Sequence, residues 1–157
     1  KEEDFKLAKE FLNSYDSDTL ASIRGEIEAD YGTERLAEIL EWPLDTEIHP
    51  YTTGRHEYTS GSTDVGDVGY AVPTLNLNVA TCCIGNVGHT WQMTAQSGSV
   101  LGHKGLLTAA KMLALCVVRT MESPETMKAA KKEYVRRTGG IYQCPLPAQV
   151  EPPVGRY

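Results

Sequence analysis

Gly105 to Met121, GLLTAAKMLALCVVRTM, is the stretch that most restricts the fold. Leu106, Leu107, Ala110, Leu113, Ala114 and Val117 recur at helical spacing and spread over a broad apolar face. That breadth is the one expected of a helix lying on a sheet, so the rest of the chain is read for strands. The best candidate is Thr74 to Thr81, TLNLNVAT, where Leu75, Leu77 and Val79 alternate with Asn76, Asn78 and Ala80. A two-residue period is the mark of a half-buried strand. A second, weaker strand is expected over Arg55 to Thr59.

Helix dominates both ends. Phe5, Ala8, Phe11, Leu12 and Tyr15 form one apolar stripe, and Leu20, Ile23 and Ile27 form another behind a cap expected at Ser17 or Asp18. Gly32 breaks that run, and Thr33 is positioned to cap a short helix carrying Leu36, Ile39 and Leu40. Trp42-Pro43 ends it, because the residue before a proline is pushed out of the helical region. Ser123-Pro124-Glu125 starts the last helix, with Ser as cap and Pro at the first position, and Gly139-Gly140 stops it. The expected fold is a mixed α/β domain with few strands flanked by helices. It reads as one domain over 1–157: a helical lead-in (1–44), strands and site loops (45–102), packing helices (103–138) and an extended proline-bearing tail (139–157).

Composition narrows the function classes. At 157 residues, 41% hydrophobic and 23% charged, the chain has globular proportions. Fifteen basic against 21 acidic residues give a net charge of -6, which lacks the electrostatic footprint of a nucleic-acid binder. No apolar run reaches the ~20 residues of a membrane span, and no signal peptide is expected ahead of the acidic start at Lys1. Without an initiator Met, the chain is expected to begin inside a longer protein or to have been processed. Cys82, Cys83, Cys116 and Cys144 form no C-x-x-C pair, and adjacent cysteines bridge each other only with strain. A reducing, cytoplasmic compartment is the expectation.

Two loops carry the candidate chemistry. Ser60 to Pro73, SGSTDVGDVGYAVP, offers Gly61, whose backbone can approach a ligand, with Ser62, Thr63 and Asp64 supplying hydroxyls and a carboxylate. Bland turn chemistry accounts for such a run equally well, and Asp64 and Asp67 suit either a carboxylate pair or the cap of a turn beginning near Val65. Ile84 to Gln92, IGNVGHTWQ, places His89 just beyond the strand, where α/β proteins put ligands. The histidines at 49, 56, 89 and 103 are separated by 7, 33 and 14 residues and match no local metal motif. His49 and His56 read as a surface and a structural residue, while His103 stands at the start of the long helix.

The words SGSTDVGDVGYAVPTLNLNVAT, GHTWQ and GHKGLLTAAKMLAL, in that order and spacing, resemble the C-terminal part of aminobenzoyl-glutamate hydrolases. These belong to the two-metal amidohydrolases that include aminoacylases and glutamate-releasing carboxypeptidases. The resemblance implies a partial three-layer αβα zinc-exopeptidase-like catalytic domain, of which this chain is the closing segment. It implies a zinc or manganese centre to which His89 contributes one ligand, with Gly61, Ser62, Thr63, Asp64 and His103 lining the substrate side. The other ligands and the base would come from earlier segments, so the isolated chain is expected to be inactive. The expected substrate is an N-acyl or N-aroyl amino acid such as p-aminobenzoyl-glutamate. The expected partners are the preceding part of the catalytic domain, or a second copy paired through an exposed sheet edge. Two alternatives stand beside this: a non-catalytic structural or dimerisation module, and a small anion-binding domain built on the Gly61–Asp67 loop.

Overall fold

Helix α1 (Glu2–Leu12) turns the Ala8 and Leu12 side of its stripe fully inward, and Tyr15 continues it. In this computed structural model residues 1–50, 63–147, 149–151 and 154 are described, and they form α1, α2 (Ser17–Tyr31), α3 (Thr33–Glu41), α4 (Val65–Ala71), α5 (Trp91–Ser97), α6 (Val100–Glu122) and α7 (Pro124–Thr138). Local chemistry sets most ends. Asp16, one residue ahead of the expected cap, accepts the N–H groups of Asp18 and Thr19 at 3.1 and 2.9 Å and so starts α2. Gly32, at φ +84°, occupies the cap of α3 in place of Thr33, whose hydroxyl instead donates to Glu28. Trp42 follows α3 and Pro43 is fully buried. Ser123, Pro124 and the left-handed Gly139 delimit α7 as the sequence indicates.

The chain divides into two compact units. The first, Lys1–Arg55 with Leu77–Cys116, packs Ala8, Leu12, Tyr15, Ile23, Ile27, Ile39, Cys83 and Leu101 into one core. The second comprises His56–Asn76 and Val117–Tyr157. Its buried Tyr134 on α7 directs its hydroxyl at the carbonyls of Tyr70 and Ala71, at 2.9 and 3.0 Å, and so satisfies the C-terminal end of α4. Helix α4 itself replaces part of the loop expected between Ser60 and Pro73.

The α/β expectation, and with it the partial three-layer αβα layout, is overturned: the described residues are helical and contain no strand. The reason lies in what a sheet needs. Residues 76–80 keep the expected period, with Leu77 and Val79 half-buried and Asn76, Asn78 and Ala80 exposed, but Leu75, expected on the same face, is 64% exposed. A ladder, however, is made by a neighbour, and no backbone hydrogen bond joins residues 75–80 to any other described residue. The second expected strand, 55–59, lies outside the described residues.

The same shortage leaves α6 uncovered. Only Leu101, Gly102 and Gly105 are buried on it, while Leu106, Leu107, Leu113, Val117 and Met121 lie 51–80% exposed. Cys116 on the same helix is half-buried. Contrary to the expectation that no such run exists, α6 is long and apolar enough to cross a membrane, by length and composition alone. Soluble core helices pass the same test.

Candidate functional site

The loop that carries His89 is fastened at every step before it reaches that residue. Cys83 donates its N–H to Gln96 Oε1 at 2.7 Å, and Ile84 donates to the carbonyl of Pro43 at 2.8 Å. Gly85, at φ +78°, presses so closely on Ile23 that a Cβ there would strike its side chain. The Asn86 side-chain oxygen accepts from Gln96 Nε2 at 2.7 Å and from the Tyr15 hydroxyl at 3.3 Å. That hydroxyl in turn accepts the Val87 N–H at 3.0 Å. Thr90 then caps α5 by accepting the Met93 N–H while donating to the Val87 carbonyl.

His89 sits at the tip of this frame, exposed, and with φ +59°. It is the one non-glycine residue with a positive φ among those described. Such a conformation costs about 1–2 kcal/mol for a residue with a Cβ. It opens on a depression of about 380 Å³ lined by Gly88, Thr90, Met93, Thr94 and Ser97. The imidazole is therefore displayed by a braced loop with no described group holding it.

His103 is reached through the word GHKG, in which each residue has a distinct place. A Cβ on Gly102 would meet the carbonyls of Ser97 and Gln96, so glycine lets α6 start tightly against the end of α5. Gly105 lies so close to the Ala80 carbonyl and Thr81 that it seats the extended 77–81 segment on α6. Lys104 bridges to Asp4 on α1. Three of the four residues thus have structural roles, and His103 remains, exposed, its backbone N–H donating to the Ser99 carbonyl.

Thr63 and Asp64 belong to the second unit and His89 and His103 to the first; His56, Gly61 and Ser62 lie outside the described residues. Thr63 Oγ1 accepts the Val65 N–H at 3.4 Å, whereas the Asp64 side chain makes no cap bond at the start of α4. Asp67 is met by the Tyr142 hydroxyl at 3.4 Å. His49 pairs with Asp45 at 2.7 Å on the surface.

Among the described residues no three His, Cys, Asp or Glu side chains converge. A catalytic zinc takes three protein ligands with one position left open. The described residues therefore do not fit a complete metal centre, and His89 offers one ligand at most. Sequence reasoning missed two buried glutamines, Gln96, which binds this loop at Cys83 and Asn86, and Gln92, which donates to the Ser14 carbonyl. Their spacing of four within HTWQMTAQ, one turn apart on a short helix, was the available signal.

No family model matches the chain, and no solved structure matches it. Over 113 residues it is 32% identical to a subunit of the p-aminobenzoyl-glutamate hydrolase of Escherichia coli (strain K12). That stretch is 71% of this chain but only 23% of the relative, so the chain spans about a quarter of the length of the curated protein it matches. Over that stretch the sequence is related to a p-aminobenzoyl-glutamate hydrolase.

Proposed function

We propose that this chain is one segment of a metal-dependent amidohydrolase that cleaves an N-acyl or N-aroyl amino acid, p-aminobenzoyl-glutamate being the first candidate. His89 contributes one ligand to a zinc or manganese centre whose other ligands come from another segment. Gly61, Ser62, Thr63, Asp64 and His103 face the substrate. The isolated chain does not hydrolyse the amide.

The relationship over 113 residues carries this reading. Two observations support it: His89 is displayed without described ligand partners, and the apolar side of α6 is exposed while no backbone hydrogen bond joins residues 75–80 to any other described residue. A second copy of this chain is the other occupant those exposed surfaces favour, as in a dimerisation module.

The test is a hybrid in which the matching 113 residues of the Escherichia coli relative are replaced by those of this chain. Release of p-aminobenzoate is followed with zinc or manganese supplied. The hybrid should hydrolyse, its His89→Ala variant should not, and the isolated chain should be inactive. Hydrolysis by the isolated chain, or an active His89→Ala hybrid, overturns the corresponding part of the proposal. Sedimentation of the isolated chain separates the second reading, which requires a concentration-dependent dimer.

A further inference from the structure

His89 is bracketed from one corner of the first unit. Tyr15, between the end of α1 and the Asp16 cap of α2, accepts the Val87 N–H on its hydroxyl at 3.0 Å and donates to the Asn86 side-chain oxygen at 3.3 Å. Its neighbour Ser14 offers its carbonyl to Gln92 Nε2 at 3.5 Å. Two consecutive residues thus tie down the chain shortly before His89 and shortly after it. The corner is itself fixed. Tyr15 is buried in the same core as Leu12, Ile23 and Cys83, and its own N–H donates to the Leu12 carbonyl.

The bracket matters because the turn it encloses is short. The Thr90 hydroxyl donates to the Val87 carbonyl at 2.8 Å, so both backbone polar groups of Val87 are held and only Gly88 and His89 lie between the bonded residues. Where such a turn uses a positive φ, glycine takes it without steric cost. Gly88 stands next door and does not take it; His89 does, at +59°. A residue with a Cβ is disfavoured there by about five- to thirtyfold, so something beyond the turn must outweigh the local preference. The Tyr15 hydroxyl, 72 residues away from Val87 in sequence, is placed to do so. Without it the Val87 N–H loses its acceptor, and the turn is free to return His89 to a negative φ.

We propose that Tyr15 is a positioning residue for His89: its hydroxyl imposes the left-handed turn that displays the imidazole. The use of that display in amide hydrolysis rests on the ligand role proposed for His89, whereas the positioning itself is a property of this chain alone.

The test is a stability cycle on the full chain. Tyr15→Phe deletes the hydroxyl and keeps the ring in the core. His89→Gly and His89→Ala are each made with and without it, and the urea midpoints are compared. The advantage of glycine over alanine at position 89 should fall by at least about half once the hydroxyl is gone, because a released turn no longer penalises a Cβ. A Tyr15 that merely stabilised the fold would lower both variants equally. An advantage that is absent with Tyr15 in place, or that survives its removal, overturns the proposal. With His89 retained, its Cα and Cβ chemical shifts should leave the left-handed range in Tyr15→Phe, and shifts that stay there overturn it as well. One measurement needs no variant: the Val87 amide of the unaltered chain should exchange its hydrogen at least about tenfold more slowly than an unstructured peptide. Exchange at the unstructured rate overturns the proposal even if Tyr15→Phe fails to fold. The hybrid carrying His89→Ala asks whether the imidazole is needed and the cycle asks what holds it, so either reading can fail while the other stands.

Discussion

Lys104 on α6 places its Nζ 2.6 and 2.7 Å from the two carboxylate oxygens of Asp4 on α1, one hundred residues away in sequence. Asp4 is buried, with a second cation, the Lys1 amino group, 2.8 Å from Oδ2. The hydrogen bond from Lys104, and after it that from the amino group, hold the carboxyl below its ordinary 3.8. A carboxylate depressed in the folded state stabilises above its unfolded value and loses that contribution as pH falls through the folded one. The thermal midpoint should therefore drop as pH is lowered below about 3.8. Asp4→Asn should lie below the parent at pH 7, and the gap should close in acid. A gap independent of pH would mean that the ion pair does not couple to folding.

Gln96 is completely buried and spends both ends of its amide on the His89 loop, accepting from Cys83 and donating to Asn86. Gln96→Leu keeps much of the volume and leaves the Cys83 N–H without a partner. An orphaned buried donor costs about 1–3 kcal/mol. Urea unfolding should register a loss of that size, and a change under about 0.5 kcal/mol would show that the loop re-forms its bonds elsewhere.

The glycines give a pair of substitutions with opposite signs. Alanine is favoured over glycine in a helix by about 1 kcal/mol, and a Cβ at Gly25 in α2 would meet nothing within 4 Å. Gly25→Ala should therefore stabilise. At Gly105 the same Cβ would run into the Ala80 carbonyl and Thr81, and overpacking of this kind costs about 1–3 kcal/mol. Gly105→Ala should destabilise despite the better propensity. Equal shifts in urea midpoint for the two variants would deny that the 77–81 segment is seated on α6.

These residues also mark where sequence is legible and where it stops. Ser123-Pro124 and Gly139 can be read directly because caps depend on chemistry within a few residues. Asp16 is misplaced by one residue because Asp16, Ser17 and Asp18 are all competent caps and only the backbone chooses among them. The half-burial of Leu77 and Val79 follows from their period, yet a sheet is a statement about neighbours, which an alternating run cannot contain. Gln96 hides for a related reason: its burial depends on a donor thirteen residues earlier. The tip position of His89 is legible from Gly85 and Gly88. Its left-handed backbone is not, since nothing local demands it.

That backbone separates structure from chemistry at the site. With φ +59°, His89 holds a conformation in which a Cβ is a cost. In ordinary positions glycine is the less stable choice, because the unfolded chain gains freedom. Here the order should invert: His89→Gly should be more stable than His89→Ala by about 1 kcal/mol, since only glycine relieves the turn. Both variants remove the imidazole, so in the 113-residue hybrid both should abolish amide hydrolysis alike. A stability order of Ala above Gly would show that the turn relaxes once the side chain is gone. Retained activity in the glycine variant would show that the turn matters to the enzyme and the imidazole does not. Loss of activity in the more stable of the two proteins is the outcome that assigns His89 a chemical role, because misfolding cannot produce it.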